Sequence, residues 1–444
     1  MSSPVGKIYI SNPLMKKLGI PLQAQVSVRV GCLMVPSQLV IVNNDRSSYL
    51  LSPALARALH VKKRKALRIR YDRDHNHIHL GPTVGILSTF LSNRADVDPT
   101  SVQAELIYLS QVARSLPGQV FVFTPAGINW SQCTTRGYVY RQGGGWVSAT
   151  YPLPDVVYDR VSSRTIEARE TVRETKKRLQ AMPFLKYFNP SFLNKWKVHQ
   201  MLWTNLEIRP YLPETRPLST ENLRDMLQEY RVVFVKPANG SLGKGIIKIT
   251  RTERGGLKYV IYRRGRVGGT ADNAEEFMHK TRKERGDRIY IVQQGLDLAT
   301  YRGRPFDVRI VYQKNGKGEW QIGKKFVRVA PPGSSISNLS SGGHAETSKK
   351  VFRYLFQKNN LINQKNNQLK QLCLTIANTL ERAAGGNFGE LGLDIGMGKD
   401  GHPYLIEVNS KPRKTTETEL SINIMRNTFK RPLEYSVFLA GFRS

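Results

Sequence analysis

The apolar positions of the N-terminal stretch repeat themselves. Leu14, Leu18, Ile20, Val26 and Val28 recur without gaps as Leu55, Leu59, Val61, Leu67 and Ile69, an offset of 41 positions. Ser11-Asn-Pro-Leu-Met-Lys-Lys-Leu-Gly-Ile falls in the same way on Ser52-Pro-Ala-Leu-Ala-Arg-Ala-Leu-His-Val. Each half reads as a strand, a short helical turn and a second strand of period two. Two such halves closing on each other predict a small pseudo-twofold β-barrel, of the double-psi or swapped-hairpin kind, over residues 1–82. Arg68 and Arg70 fall on its outward positions. His75, His77 and His79 alternate beside a turn, and Asp72 and Asp74 make that turn a solvated hairpin tip in preference to a metal site.

Residues 83–190 read differently. A strand over 83–87 is followed by Asp98-Pro99, an N-cap with proline at the first helical position. Val102, Leu106, Leu109, Val112 and Leu116 then keep helical spacing up to Gly118. Val120-Phe-Val-Phe123 reads as a buried strand and Asp155-Val-Val-Tyr-Asp159 as another. Strand, helix and strand in that order predict an open α/β layer. No G-x-G-x-x-G follows the first strand, so no dinucleotide site is expected.

The third stretch, 191–444, carries the candidate chemistry. Val232-Val-Phe-Val235 runs into Lys236-Pro237, then Ala238-Asn-Gly240-Ser241-Leu-Gly243-Lys244-Gly245, then a second strand from Ile246. A glycine-rich hairpin between two strands suits a flap over phosphates, because its free N–H groups approach anionic oxygens closely. The GK[ST] ending of a Walker A loop is missing, and a strand follows where that loop needs a helix. Ile289-Tyr-Ile-Val292 leads into Gln293-Gln294-Gly295, whose backbone suits an adenine edge. Asp307 and Arg309 lie two apart on a predicted strand and share a face, from which an arginine reaches a terminal phosphate. Leu391-Gly-Leu-Asp394-Ile and Leu405-Ile-Glu407-Val-Asn409 read as a hairpin turned at Asp400-Gly401. Period two puts Tyr404, Ile406 and Val408 on one face and Glu407 and Asn409 on the other, with Asp394 beside them. Such carboxylate and amide oxygens suit magnesium.

Composition narrows the picture further. A chain of 444 residues, 40% of them hydrophobic, has material for two or three domains. No apolar run approaches the roughly 18 residues of a membrane span, and the first residues lack a secretory signal, so synthesis and folding in a cytoplasm are expected. Three scattered cysteines, Cys32, Cys133 and Cys373, predict neither a disulfide framework nor a zinc cluster. The formal net charge of +34 favours polyanionic partners. Residues 1–82 hold 13 Lys or Arg against 3 Asp, but no aromatic platform for single strands, so specific nucleic-acid binding is not expected.

Taken in order, the four pieces of the third stretch resemble an ATP-grasp domain. The Gln293–Arg309 and Glu390–Lys411 stretches resemble the tubulin-tyrosine-ligase-like branch. The whole chain is closer still to the YheC/YheD family of spore-coat-associated ATP-grasp proteins of endospore formers. That likeness includes the N-terminal repeat, Pro154-Asp-Val-Val-Tyr-Asp-Arg160, Phe188-Asn189, Lys195-Trp196 and Pro213-Glu-Thr215. The resemblance implies an α/β (α+β) architecture: a C-terminal ATP-grasp fold, an open α/β pre-ATP-grasp layer and the small barrel. It implies ATP and two Mg2+ ions. Lys195 and Lys236 would bind phosphates under the Gly240–Gly245 turn, and Asp394, Glu407 and Asn409 would hold the metals, Glu407 bridging. Arg309 and Arg328 would meet the γ-phosphate or an acyl phosphate, and Asn338, Gly342 and Gly343 would lie on a substrate loop. Gln293-Gln294 stands where many relatives carry an acidic hinge, which leaves Asp297 as the substitute ribose contact. The implied reaction joins an unnamed carboxylate, such as an acidic polymer or peptide, to an amine. The alternative is a non-catalytic nucleotide-binding coat protein with a polyanion-binding surface.

Overall fold

A computed structural model describes residues 3–61, 67–92, 97–240, 244–263, 265–332, 343–416 and 421–442. Among these residues the strands form four sheets. The first contains β1 (Gly6–Ser11), β2 (Gln25–Val30), β3 (Leu33–Val42), β4 (Tyr49–Leu51), β5 (Arg68–Asp72) and β6 (His77–Gly81), in the spatial order β4-β1-β3-β2-β6-β5. The repeat is visible as β1, α1 (Asn12–Leu18), β2 and then β4, α2 (Pro53–Ala58), β5, each with an antiparallel return strand. All five repeated pairs of apolar residues contribute to one core. No ladder joins β4 to β5 among the described residues, so the expected barrel is not seen as closed backbone pairing. The Tyr49 hydroxyl ties the two ends, donating to the Leu67 carbonyl at 2.7 Å.

The histidine turn differs from expectation. His75 is exposed, but His77 and His79 are only 2% and 1% exposed. The next segment supplies the reason: the Asp155 carboxylate lies 2.8 Å from His79 Nε2 and accepts from Arg29 at 3.1 Å and from the Thr83 N–H at 2.8 Å. Arg68 and Arg70 are half-buried and engage other residues. Arg70 donates to His79 Nδ1 at 3.1 Å and stacks over Phe442, and Arg68 donates to the Phe442 carbonyl at 3.4 Å.

The second sheet runs β10 (Gly145–Pro152), β9 (Thr134–Arg141), β8 (Gln119–Asn129), β7 (Thr83–Leu87), β11 (Val156–Asp159), β12 (Lys186–Phe188). The four strands from β8 to β12 are parallel, and β9 and β10 add an antiparallel hairpin the pattern did not predict. Helix α3 (Val102–Val112) starts later than expected. Ser101 is its N-cap, accepting from the Ala104 N–H at 3.1 Å, whereas Asp98 accepts from the Thr100 N–H at 2.8 Å in the preceding turn. Two short helices, α4 (Arg164–Glu167) and α5 (Glu170–Gln180), lead to β12.

Two antiparallel sheets follow. Helix α6 (Lys195–Trp203) precedes β13 (Thr215–Pro217), α7 (Thr220–Glu229), β14 (Val232–Pro237), β15 (Ile246–Arg251), β16 (Leu257–Arg263), β17 (Gly265–Ala271), α8 (Ala274–Lys280), α9 (Arg282–Arg285) and β18 (Tyr290–Gln294). Their sheet order is β13-β18-β14-β15-β16-β17, with α7 and α8 sharing its core. The last sheet is β22 (His344–Thr347), β21 (Trp320–Val329), β20 (Arg304–Lys314), β23 (Glu390–Met397), β24 (Pro403–Asn409), with β19 (Thr300–Tyr301) paired to β20. Helices α6, α10 (Ser348–Phe356) and α11 (Asn359–Ala384) pack on it. The final helix, α12 (Ile422–Leu439), turns back: its Phe429 and Leu433 share a core with Val84, Leu106 and Tyr158 of the second sheet layer.

A buried charge network locks that seam. Arg160 donates to Glu105 at 2.7 Å and to Glu390 at 3.0 Å, and Lys414 meets Glu390 at 2.7 Å. Asn189 donates to the Glu390 carbonyl at 2.7 Å and accepts from the Gly389 N–H at 2.9 Å. The start of β23, four residues before Asp394, is thereby fixed from two sides.

Candidate active site

The two C-terminal sheets face each other across a cleft lined by α6, β13, β14, β18 and β24. Lys236 enters it from the end of β14, next to Pro237, the last residue of the strand. Its ammonium donates to the side-chain carbonyl of Gln293 on β18. The Gln293 amide is oriented in turn by donating to Thr215 Oγ1 at 2.9 Å. Burial first, then the neighbouring Lys195, push the Lys236 ammonium down to about 8.

Lys195 is the first residue of α6, capped by Asn194, and its N–H donates to the Ala238 carbonyl at 2.9 Å. Its side chain spans the cleft, donating to the Gly240 carbonyl at 2.8 Å and to Glu407 Oε1 at 2.8 Å. At Gly240 a Cβ would lie 2.5 Å from the Pro237 ring, and Gly245 has φ +77°, so both ends of this turn need glycine. Ser241 and Gly243 lie outside the described residues. Lys244 is exposed and, with Gly245, borders a separate cleft.

On the opposite sheet Asp394 and Glu407 are cross-strand partners, and Asn409 pairs with Gly392. Leu391, Leu393 and Ile395 are buried as expected. The second strand departs from period two. A register shift leaves Ile406 without a ladder partner, so Leu405 and Val408 fill the core while Ile406 lines the cleft with Glu407. A bulge of this kind adds one residue and re-aims the side chains beyond it. Asp394 accepts from Arg309, and its other oxygen meets Arg328 at 2.8 Å. Arg328 is also held by both oxygens of Asp307, at 2.7 and 2.9 Å. Burial alone would lower the Arg328 pKa, but Asp394 and Asp307 outweigh it and hold the guanidinium charged. Among the described residues no three His, Cys, Asp or Glu side chains form a ready metal group. The set present is two carboxylates and one amide.

Other expected residues fall elsewhere. Gln294 turns away and accepts from the Glu214 N–H at 3.2 Å. Asp297 is exposed and paired with Lys399 at 2.9 Å at the β23–β24 turn. Gly343 stands just before β22, which pairs with the Arg328 end of β21, and Asn338 and Gly342 lie outside the described residues. Sequence reasoning assigned no role to His199 or Thr215, both of which line the cleft. His199 stacks on Trp196 at 5.6 Å between centroids, and burial lowers its pKa. The Pro213-Glu-Thr215 motif was the available signal for Thr215.

Residues 185–439 match the family described as YheC/D like ATP-grasp. The chain is 33% identical over 375 residues to the endospore coat-associated protein YheD of Bacillus subtilis, covering 82% of this chain and 81% of that protein. It is 26% identical over 353 residues to YheC of the same organism, covering 78% of this chain and 95% of the relative. Among solved structures, D-cycloserine synthetase DcsG is similar at 12% identity and a TM-score of 0.48, covering 80% of this chain and 99% of that one. D-alanyl-alanine synthetase A from Vibrio cholerae is similar at 15% identity and a TM-score of 0.45, covering 81% and 98%.

Proposed function

The chain belongs to the YheC/D-like ATP-grasp family, and from that premise we propose that it is an ATP-dependent carboxylate–amine ligase. A carboxylate oxygen attacks the γ-phosphorus of ATP, giving an acyl phosphate and ADP. An amine then attacks the acyl carbon, phosphate leaves, and the nitrogen gives up a proton as the amide forms.

The observation that supports this reading most is the pair of lysines. Lys236 is drawn into the cleft with a neutral amide as its hydrogen-bond partner and a second ammonium, Lys195, beside it. Such a pair is stabilised by a bound anion, and a polyphosphate chain supplies one. In this reading Lys195 exchanges Glu407 for a phosphate oxygen, and the Gly240–Gly245 turn covers the chain. Arg309 and Arg328 stabilise charge on the transferred group. Asp307 keeps Arg328 oriented when Asp394 turns elsewhere. Asp394, Glu407 and Asn409 fit Mg2+ by donor chemistry, two carboxylates and an amide oxygen on paired strands. The metal supplies neutralisation of phosphate charge. The excess of basic residues favours an acidic acceptor, and the names of the relatives favour association with the spore coat.

The test is incubation with Mg-ATP, a panel of carboxylic acids and hydroxylamine as surrogate amine. The reading expects ADP and a hydroxamate in equal amounts with at least one acid. A second reading, nucleotide binding without ligation, is favoured by the ion pairs that already engage Glu407 and Asp394. It predicts a melting temperature raised by Mg-ATP with no ADP from any acid, and that result would count against the ligase.

A further inference from the structure

Two cysteines far apart in sequence meet in the fold. Cys32 lies in the turn between β2 and β3, and Cys133 in the turn ahead of β9. The Cys32 thiol donates to the Cys133 carbonyl at 3.1 Å, and the Cys133 thiol lies 3.9 Å from the Trp130 carbonyl in the same turn. The backbone of Leu153 holds both sides: Cys32 N–H donates to its carbonyl at 3.0 Å, and its own N–H donates to the Cys133 carbonyl at 2.9 Å. The approach is backbone to backbone, since a Cβ on Gly31 would stand 2.2 Å from the Leu153 oxygen. Both cysteines are half-buried, within reach of a small reagent, whereas Cys373 is buried on α11.

We propose that Cys32 and Cys133 are a disulfide-forming pair that covalently joins the first sheet to the second. The oxidant is a low-molecular-weight disulfide. One protein thiolate attacks it and a small thiolate leaves, forming a mixed disulfide. The second protein thiolate then attacks the protein sulfur of that bond, and the second small thiolate leaves. The two protons lost by the cysteines end on the two small thiols, so one small disulfide is reduced for each protein disulfide made. Burial, and then the adjacent Cys133, push the Cys32 thiol up. The bond would sit where Asp155 already ties the sheets through Arg29 and His79. It would close a loop of 101 residues, long enough to restrict the unfolded chain substantially. This pair is independent of the ligase reading.

The full chain is incubated with oxidised glutathione, quenched in denaturant, titrated for free thiols and mapped by mass spectrometry. The expected result is a fall from three titratable thiols to one. It comes with a Cys32–Cys133 linked peptide, a monomer on a non-reducing gel, and a melting temperature about 5 °C above the reduced protein. Cys32→Ser should instead leave a glutathione adduct on Cys133. Persistence of all three thiols, or a bond joining other cysteines or two chains, would overturn the proposal. The wild-type map decides this even if the variant folds poorly.

Discussion

At Lys236 the chain accepts an electrostatic cost in order to present a cation. An unfolded lysine titrates near 10.4, while burial, followed by Lys195, brings this one to about 8. Between those values the folded chain binds fewer protons than the unfolded chain. Stability therefore rises with pH across that window, and the penalty is fully present below pH 8. Lys236→Met removes the penalty. By urea denaturation at pH 7 the variant should be as stable as wild type or about 1 kcal/mol more so, discounted because the side chain is only half-buried by exposure. Its ATP affinity should fall about tenfold or more. Bound phosphates should also restore the charge, so nucleotide binding at pH 9 should take up protons. Calorimetry in two buffers of different ionisation enthalpy measures this, and identical heats would contradict the assigned role.

Among the elements, α12 and β24 separate what is local from what is not. Phe429 on α12 is fully buried and packs against Tyr108 at 4.6 Å between centroids, whereas Ile424 on the same helix is exposed. Phe429→Ala should cost about 3–5 kcal/mol in chemical denaturation, while Ile424→Ala should change little. Nothing in the residues of α12 reveals this partner, because the strand it covers lies hundreds of positions earlier. The β23–β24 hairpin was legible for the opposite reason: Asp400-Gly401 and alternating apolar residues act on their neighbours. The Ile406 bulge was not, since it depends on how two strands slide against each other. Lys195, Lys236 and Glu407 could be expected together from the family resemblance. The Thr215–Gln293 hydrogen bond, between residues 78 positions apart, could not, because β13 is too short to announce its pairing. Asp98 and Ser101 are both good caps, and only the packing of α3 decides between them.

Across the whole molecule, buried charge pairs join regions that hydrophobic patterning alone would have kept apart. Burial by itself would raise the carboxyls of Asp155, Asp159 and Glu390. The groups facing them outweigh it: His79 and Arg29, Lys411 and Lys176, and Lys414 and Arg160 respectively. All three are held below the usual carboxylate range, so their contribution is present above about pH 4 and is lost as pH falls through the folded values. Melting temperature should change little from pH 7 to 5 and drop steeply below about pH 4. Glu390→Gln should cost about 3 kcal/mol at pH 7, because it leaves Arg160 and Lys414 short of a partner. It should also flatten the acid limb, and an unchanged limb would show that the seam is not held by charge. The ligase itself is tested most directly by comparing wild type with Glu407→Gln in acid-dependent ADP release from Mg-ATP with hydroxylamine present. The prediction is turnover in wild type and a loss of about a hundredfold or more in the variant, with its melting temperature without nucleotide essentially unchanged. Equal turnover in the two proteins would contradict the role of Glu407 and, with it, the proposed mechanism.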